Sequence, residues 1–417
     1  VCSVSERAIA QAYERRLAAL ADTSVGGRKF CHRLADATDA WIAALADQAR
    51  ETHPDVPGFA VVAVGGFGRG ELSPQSDLDV LLVHDSKSGA FEDVAAAIWY
   101  PIWDAGIKLG HAVRSLDEHL ELAKTDVDTA TALLTARPIA GDPAIGAKVV
   151  ESGLRNWTKR KKRWLEALQQ RVRDRQSGAG DVAYILEPDL KDGHGGIRDA
   201  HSLWWAERGG LALTPYDDVA LNECYDVLLD VRVALHRATG RPGDTLRLED
   251  QDAVAEMAGV ADADVLMADI AAAARTVAWI ADETWGRVGK TTGGSPLEVA
   301  PGVMLIDGEM ELAVDADPST DPTFILGMAT AAARHDVRIG RRSLDRLTDL
   351  LPQWPERWPV GAIDKLVALL LEGHRAIPVL ESLDQRGLIT RMLPEWEPVR
   401  SRPQRNAYHR FTVDRHL

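Results

Sequence analysis

The sequence predicts an α+β protein in which a small α/β unit is followed by helical domains. Three observations predict it. Between residues 58 and 115, short β-rich apolar runs alternate with helical spacing. From about residue 116 to 285 the pattern is mostly helical, with long amphipathic stretches at 143–174, 217–239 and 262–285. The chain has 417 residues, 46% hydrophobic and 27% charged, which suits two or three soluble domains.

The elements follow in order. Ile9, Ala12, Leu17 and Leu20, then Trp41, Ile42 and Leu45, recur at helical spacing and predict two leading helices within residues 1–50. GFAVVAV at 58–64 is a buried strand ended by Gly65-Gly66. A second strand is expected over Asp77–Val83, a helix over Glu92–Asp104 and a third strand over Lys108–Ser115, which completes an α/β core within 51–142. The helical region spans 143–288 and is interrupted by the Gly- and Asp-rich loop EPDLKDGHGGIRD at 187–199. GKTTGGSP at 289–296 has linker chemistry. The last region, 297–417, opens with VMLIDGEMELAV, a hairpin turning at Asp307-Gly308, and continues as helices from about 319 to 389.

Composition excludes several functions. The net charge of −15 argues against a sequence-independent grip on nucleic acid. No apolar run is long enough to span a bilayer, and the N-terminal residues are polar where a signal peptide would be apolar, so no membrane partner is expected. Cys2, Cys31 and Cys224 are too few and scattered for a disulfide framework or a thiolate metal site, which fits a reducing cytoplasm. The basic run Lys159–Arg163 reads as the solvated face of a long helix, or as a collar for an anionic ligand or partner.

The chemistry concentrates in GGFGRGELSPQSDLDVLLV at 65–83. Its glycines fit neither G-x-G-x-x-G nor the P-loop, which needs Lys and then Ser or Thr after the last glycine. What remains is a strand, a Gly65-Gly66 turn with no side chains in the way, a short helix whose free N–H groups can face phosphate oxygens, and a second strand carrying Asp77 and Asp79 on one face. Two adjacent carboxylates repel unless a cation lies between them. Magnesium, which takes a carboxylate or two plus substrate phosphates, answers that need, so turn and aspartate pair describe a site for a metal-bound nucleoside triphosphate. Gly68 belongs to the same turn, and Arg69 and Ser76 flank it as candidates for the β- and γ-phosphates, or as a solvated arginine and a capping serine. The loop at 187–199 is denser in charge and glycine than a plain connection needs, and Asp189, Lys191 and Asp192 are its candidate site residues. His236 and Arg237 read as packing or surface residues of a helix.

This pattern resembles the nucleotidyltransferase fold of the DNA polymerase β superfamily, in which Gly-Gly or Gly-Ser precedes Asp-x-Asp by some ten residues. With TALLTARPIAGD at 131–142, EPDLKDGHGGIRD, VALHRATGRPGDTLRLEDQDAVA at 233–255 and NAYHRFTVDRHL at 406–417, it further resembles the bacterial PII-protein uridylyltransferase / uridylyl-removing enzymes, most weakly over 290–390. The resemblance implies a polymerase-β-like core followed by helical domains, and transfer of UMP or AMP from UTP or ATP to a tyrosine of the PII nitrogen-signalling protein, with release of pyrophosphate. It implies Asp77 and Asp79 as ligands of Mg²⁺ or Mn²⁺. The superfamily's third carboxylate has no counterpart on the third strand, which offers Lys108, His111 and Arg114, so Asp189 and Asp192 are the nominees. A non-catalytic PII- or nucleotide-binding sensor and a small-molecule nucleotidyltransferase are the alternatives.

The same resemblance reads NAYHRFTVDRHL as the start of an HD-type phosphohydrolase domain, with His416 in place of its first ligand. The expectation is a sequence that adds nucleotide without removing it and without direct regulation by glutamine. His84-Asp85 and His335-Asp336 lack a partner in the order such a site requires and are expected to be structural.

Overall fold

The computed structural model describes residues 4–86, 91–288, 295–402 and 413. Two helices lead, α1 (Val4–Ala21) and α2 (Gly27–Thr52). On α2, Phe30, Leu34, Trp41, Ile42, Leu45 and Ala49 fall on one face and are buried. Each large side chain of that stripe contributes roughly 1.5–3 kcal/mol by leaving water.

The next unit contains β1 (Phe59–Ala63), the single-turn α3 (Gly65–Gly68), β2 (Leu78–His84), α4 (Phe91–Asp104), β3 (Leu109–Ser115), α5 (Leu116–Leu122), α6 (Val127–Leu134) and β4 (Arg137–Gly141). The strands form one sheet in the order β3-β2-β1-β4. β1, buried throughout, runs antiparallel to β2 and β4, while β2 and β3 are parallel and joined by the α4 crossover. Alternation along β2 buries Leu78, Val80 and Leu82 and leaves Asp79 half-buried on the other face. The strand begins at Leu78, so Asp77 belongs to the turn before it rather than to the strand. β4 has no alternating pattern to announce it; it is an edge strand with Pro138 in it and a register shift opposite Val61 and Val62.

Six longer helices follow: α7 (Pro143–Lys159), α8 (Lys161–Ala179), α9 (Ile197–Arg208), α10 (Pro215–Thr239), α11 (Gln251–Ala258) and α12 (Ala263–Trp285). The stretch 143–174, expected as one amphipathic run, breaks at Arg160 (φ −118°, ψ 20°). The break lets the buried Trp157 and Trp164 stack at 5.9 Å with their planes 11° apart. On a straight helix residues seven apart are about 10 Å apart along the axis, too far to stack. The basic run Lys159–Arg163 therefore sits at a helix junction, not on the face of one long helix. The loop expected through Asp199 ends earlier, because Ile197, Arg198 and Asp199 form the first turn of α9.

The remaining described chain builds a second sheet, β5 (Leu297–Ala300), β6 (Val303–Ile306), β7 (Glu309–Leu312) and β8 (Arg338–Ile339), in that order. Asp307 (φ 50°) and Gly308 (φ 77°) are both left-handed at the β6–β7 turn, as the Asp-Gly pair predicts. Around this sheet lie α13 (Phe324–Arg334), α14 (Arg341–Leu350), α15 (Ala362–Leu370), α16 (Ile377–Asp384) and α17 (Leu388–Met392). Buried ion pairs join this region to the preceding helices: Arg275 of α12 meets Glu381 and Asp384, and Asp217 of α10 meets Arg341 and Arg386. His84 ends β2 and His335 caps α13. Cys2, most of the linker at 289–296, and His416 lie outside the described residues.

Candidate active site

The glycine turn is built by the end of β1 and by β4's approach. Gly65 adopts φ +60°, and its N–H donates to Thr135 Oγ1 at 3.0 Å. That amide is therefore already used within the protein. A Cβ on Gly65 would lie 2.8 Å from Asp79 Oδ2, and one on Gly110, which faces Asp79 across the β2–β3 pair, would collide with Asp79 Oδ1. Asp79 thus sits in a slot between two backbones that lack side chains. Gly66 is more open, the nearest atom to its hypothetical Cβ being the Glu71 carbonyl oxygen at 3.5 Å. Gly68 is different from what its place in the motif implies. It is buried against the Thr135 and Ala63 carbonyls and does not line the cleft, so its lack of a side chain serves packing.

Over this turn lies an open cleft of about 260 Å³. One wall holds Gly65, Gly66, Arg69, Ser76, Asp77 and Asp79; the other, from the helical region, holds Lys191, Arg198, Trp205, Tyr225 and Arg232. Burial and the neighbouring Asp77 carboxylate push the Asp79 carboxyl above its ordinary value, while Lys191, Arg69 and Lys108 oppose the rise. Lys108 Nζ stands 3.8 Å from Asp77 but is almost wholly exposed. Arg69 donates through Nε to Glu71 at 2.6 Å, which leaves its terminal nitrogens toward Gly66. Glu71 is buried and has His201 Nε2 at 3.4 Å; burial pushes that histidine down to about 4, so it is neutral at pH 7. Ser76 Oγ accepts from the Ser73 amide at 3.1 Å and closes the turn ahead of Asp77.

The loop residues divide. Lys191 reaches the cleft, with Asp244 Oδ2 at 3.6 Å from its Nζ. Asp189 and Asp192 do not line it. Asp189 Oδ1 accepts from the Lys191 and Asp192 amides, and Asp192 is paired with Arg198 at 2.5 Å. Both carboxylates are engaged in shaping the loop, so the geometry does not bring a nominated third carboxylate to the aspartate pair. His236 is buried, as a packing residue would be, yet its Nδ1 accepts from the Gln75 amide at 3.2 Å. Sequence reasoning missed Glu71, Gly110, Thr135, Arg232 and Asp244, and held Arg198 only as part of the charged loop. Gly110 alone carried a local signal, since a glycine inside a strand marks a close approach.

Comparison with known proteins agrees with this layout. Residues 42–133 match the family described as nucleotidyltransferase domain, and residues 163–209 and 209–285 match GlnD PII-uridylyltransferase. The chain is 40% identical over 424 aligned residues, 96% of its length, to a bifunctional uridylyltransferase/uridylyl-removing enzyme of Streptomyces coelicolor. Proteins of the same name from Mycobacterium tuberculosis and Corynebacterium glutamicum are 37% and 31% identical over 92% and 86% of the chain. Over most of its length the chain is thus similar to proteins named uridylyltransferases. It spans about half the length of the curated relatives it matches, 50% and 49% for the Streptomyces and Mycobacterium proteins.

The cleft lies across the two matched regions, the aspartates from the first and Lys191, Arg198 and Arg232 from the second. A divalent metal is what nucleotidyltransferase chemistry implies, and the residues fit one. Asp77 and Asp79 offer hard oxygen donors, and the Asp79 carboxyl, raised first by burial and then by the neighbouring Asp77 charge, is one that a cation would favour ionised. Among the described residues no group of three His, Cys, Asp or Glu converges, so the balance of such a metal's shell would come from phosphate and water. No helix among the described residues is long and apolar enough to cross a membrane.

Proposed function

We propose that this chain transfers a nucleoside monophosphate from a nucleoside triphosphate to a tyrosine hydroxyl of PII and releases pyrophosphate. The observation that carries the reading is the cleft in which Asp77 and Asp79 face Arg69, Lys191, Arg198 and Arg232. Glu71 and Asp128 also line the cleft but are paired with Arg69 and Arg171, and the Asp77–Asp79 pair among these cations suits a metal-bound polyphosphate better than a neutral ligand. UTP is the proposed donor because the relatives are named uridylyltransferases; ATP is the competitor in the test.

In the reaction the tyrosine oxygen attacks the α-phosphorus, the α–β phosphoanhydride bond breaks, the phenolic proton passes to water and pyrophosphate departs. Asp77 and Asp79 would hold the magnesium. Bound there, the metal neutralises phosphate charge and lowers the pKa of the attacking hydroxyl, which is near 10 when free. The chain's own part is positioning and charge. Arg69 and Lys191, which line the cleft, would take the charge that builds on the departing pyrophosphate, and Gly66, with open space above it, would let the phosphates approach the backbone. The neutral His201, under the Arg69–Glu71 pair, keeps that pair fixed without adding charge.

The test is the mass of purified PII after incubation with the chain, Mg²⁺ and each nucleotide in turn. A gain of one uridylyl group on a tyrosine with UTP, and none with ATP, is expected. Unmodified PII under every condition would overturn the reading.

A further inference from the structure

Asp77 is carried by a turn rather than a strand, so something must hold that turn. Within it, Ser76 N–H donates to the Ser73 carbonyl at 3.0 Å and Ser73 N–H to Ser76 Oγ at 3.1 Å. Cys31 Sγ of α2 lies 3.9 Å from Ser73 Oγ and Lys108 Nζ 3.8 Å from Asp77, and further hydrogen bonds come from the helical region, some 160 residues on. Arg232 Nη1 donates to Ser73 Oγ at 2.8 Å, and the Gln75 N–H donates to His236 Nδ1 at 3.2 Å. Because Nδ1 accepts, the imidazole proton is on Nε2, which faces the Gly243 carbonyl at 3.1 Å and Asp244 Oδ1 at 3.3 Å. Arg232 Nε donates to the same Asp244 oxygen at 2.6 Å.

Asp244 is thus the common acceptor behind both residues that grip the turn. Burial opposes its ionisation, but the His236 and Arg232 hydrogen bonds hold its carboxyl well below the usual carboxylate range. It also reaches the opposite wall of the cleft. Its backbone carbonyl accepts from the Leu190 amide at 2.8 Å, and its second oxygen lies 3.6 Å from Lys191 Nζ.

We infer that Asp244, through Arg232 and His236, is a positioning residue that locks the Ser73–Asp77 turn and the Lys191 loop into one register. This rests on the proposed transferase reading of the cleft. A buried arginine whose partner is removed keeps its charge and seeks another acceptor, so the loss is felt at the turn rather than at Asp244 alone.

The test compares the 417-residue chain with Asp244→Asn and Arg232→Lys, and with Asp217→Asn as a control for lost stability in a buried ion pair far from the turn. Hydrogen exchange over residues 73–79 is expected to speed up at least tenfold in Asp244→Asn and Arg232→Lys, and to stay within twofold in Asp217→Asn below its melting range. Transfer to PII is expected to lose at least tenfold in kcat in both lock variants, with KM for the triphosphate changing less than kcat, while kcat in Asp217→Asn stays within twofold. Unchanged exchange over 73–79 in Asp244→Asn overturns the lock. Faster exchange with an unchanged kcat overturns its positioning role. If the unmodified chain transfers nothing, the transferase reading fails, and the exchange measurement alone decides the lock.

Discussion

Asp79 meets backbone on two sides, Gly65 and Gly110, and a carboxylate, Asp77, close by. Replacing it with asparagine removes the repulsion and a metal ligand together. Asp79→Asn and Asp77→Asn are each expected to lower transfer at least a hundredfold, as loss of a transition-state contact does, while the melting temperature holds or rises slightly. Near-normal transfer by both variants would remove the metal reading. The glycines separate by the same logic. Gly110→Ala drives a methyl into Asp79 and is expected to impair transfer though it is remote in sequence from the motif. Gly66→Val has no left-handed backbone to contend with, so only the space above the turn is lost; triphosphate affinity should fall about tenfold or more, with stability nearly intact. Titration of each variant with UTP and Mg²⁺ distinguishes the cases. At this scale the Gly65 turn was legible because glycine's freedom is local, whereas the i, i+2 rule expected Asp77 on the strand and the structure puts it in the turn before Leu78. Glu71 and Asp244 were not legible, since His201 and Lys191 come near them only on folding, and the strand glycine Gly110 signalled a close approach without naming Asp79 as what it meets.

The loop before α9 shows how one element is fixed by charge. His194 Nδ1 faces Asp181 at 2.8 Å and Nε2 faces Asp282 of α12 at 3.1 Å; burial opposes its charge, but the two carboxylates raise its pKa to about 10. A pKa raised on folding stabilises fully below the unfolded value near 6.5, and the gain is lost as pH climbs through about 10. His194→Gln is therefore expected to cost about 2 kcal/mol at pH 6, on the scale of a charged hydrogen bond, and to match the parent above pH 10. A penalty independent of pH in denaturant melts would show that packing, not charge, explains His194. The sequence marked this loop by its glycine and charge density, yet assigned its acids to catalysis. Asp189 instead closes the loop on its own amides, a use that composition does not distinguish from a ligand's. The Asp307-Gly308 hairpin was legible in full because the turn demands those two residues locally. β4 and the break at Arg160 were not, because an edge position and a tryptophan stack are tertiary facts.

Across the whole molecule, buried charge joins the last described region to the rest. Asp217 has no exposure and serves two arginines: Arg386 Nη2 donates to it at 3.2 Å, and Arg341 lies 3.0 Å away while stacking 3.6 Å over Trp279. Removing one charge of such a cluster strands the others, so Asp217→Asn is expected to lose about 3–5 kcal/mol, read by chemical denaturation. A loss under 1 kcal/mol would mean that the arginines find solvent or other acceptors.

The lock on the Ser73–Asp77 turn has a temporal side as well. Its donors and acceptors, Arg232, His236 and Asp244, are made some 160 residues after the turn they hold. On a ribosome the aspartate pair therefore emerges long before the parts that steady it, and the core passes through synthesis with its acidic turn untethered. Nascent chains stalled before residue 232 has emerged should show the 73–79 segment open to protease, and chains stalled well past 244 should show it closed.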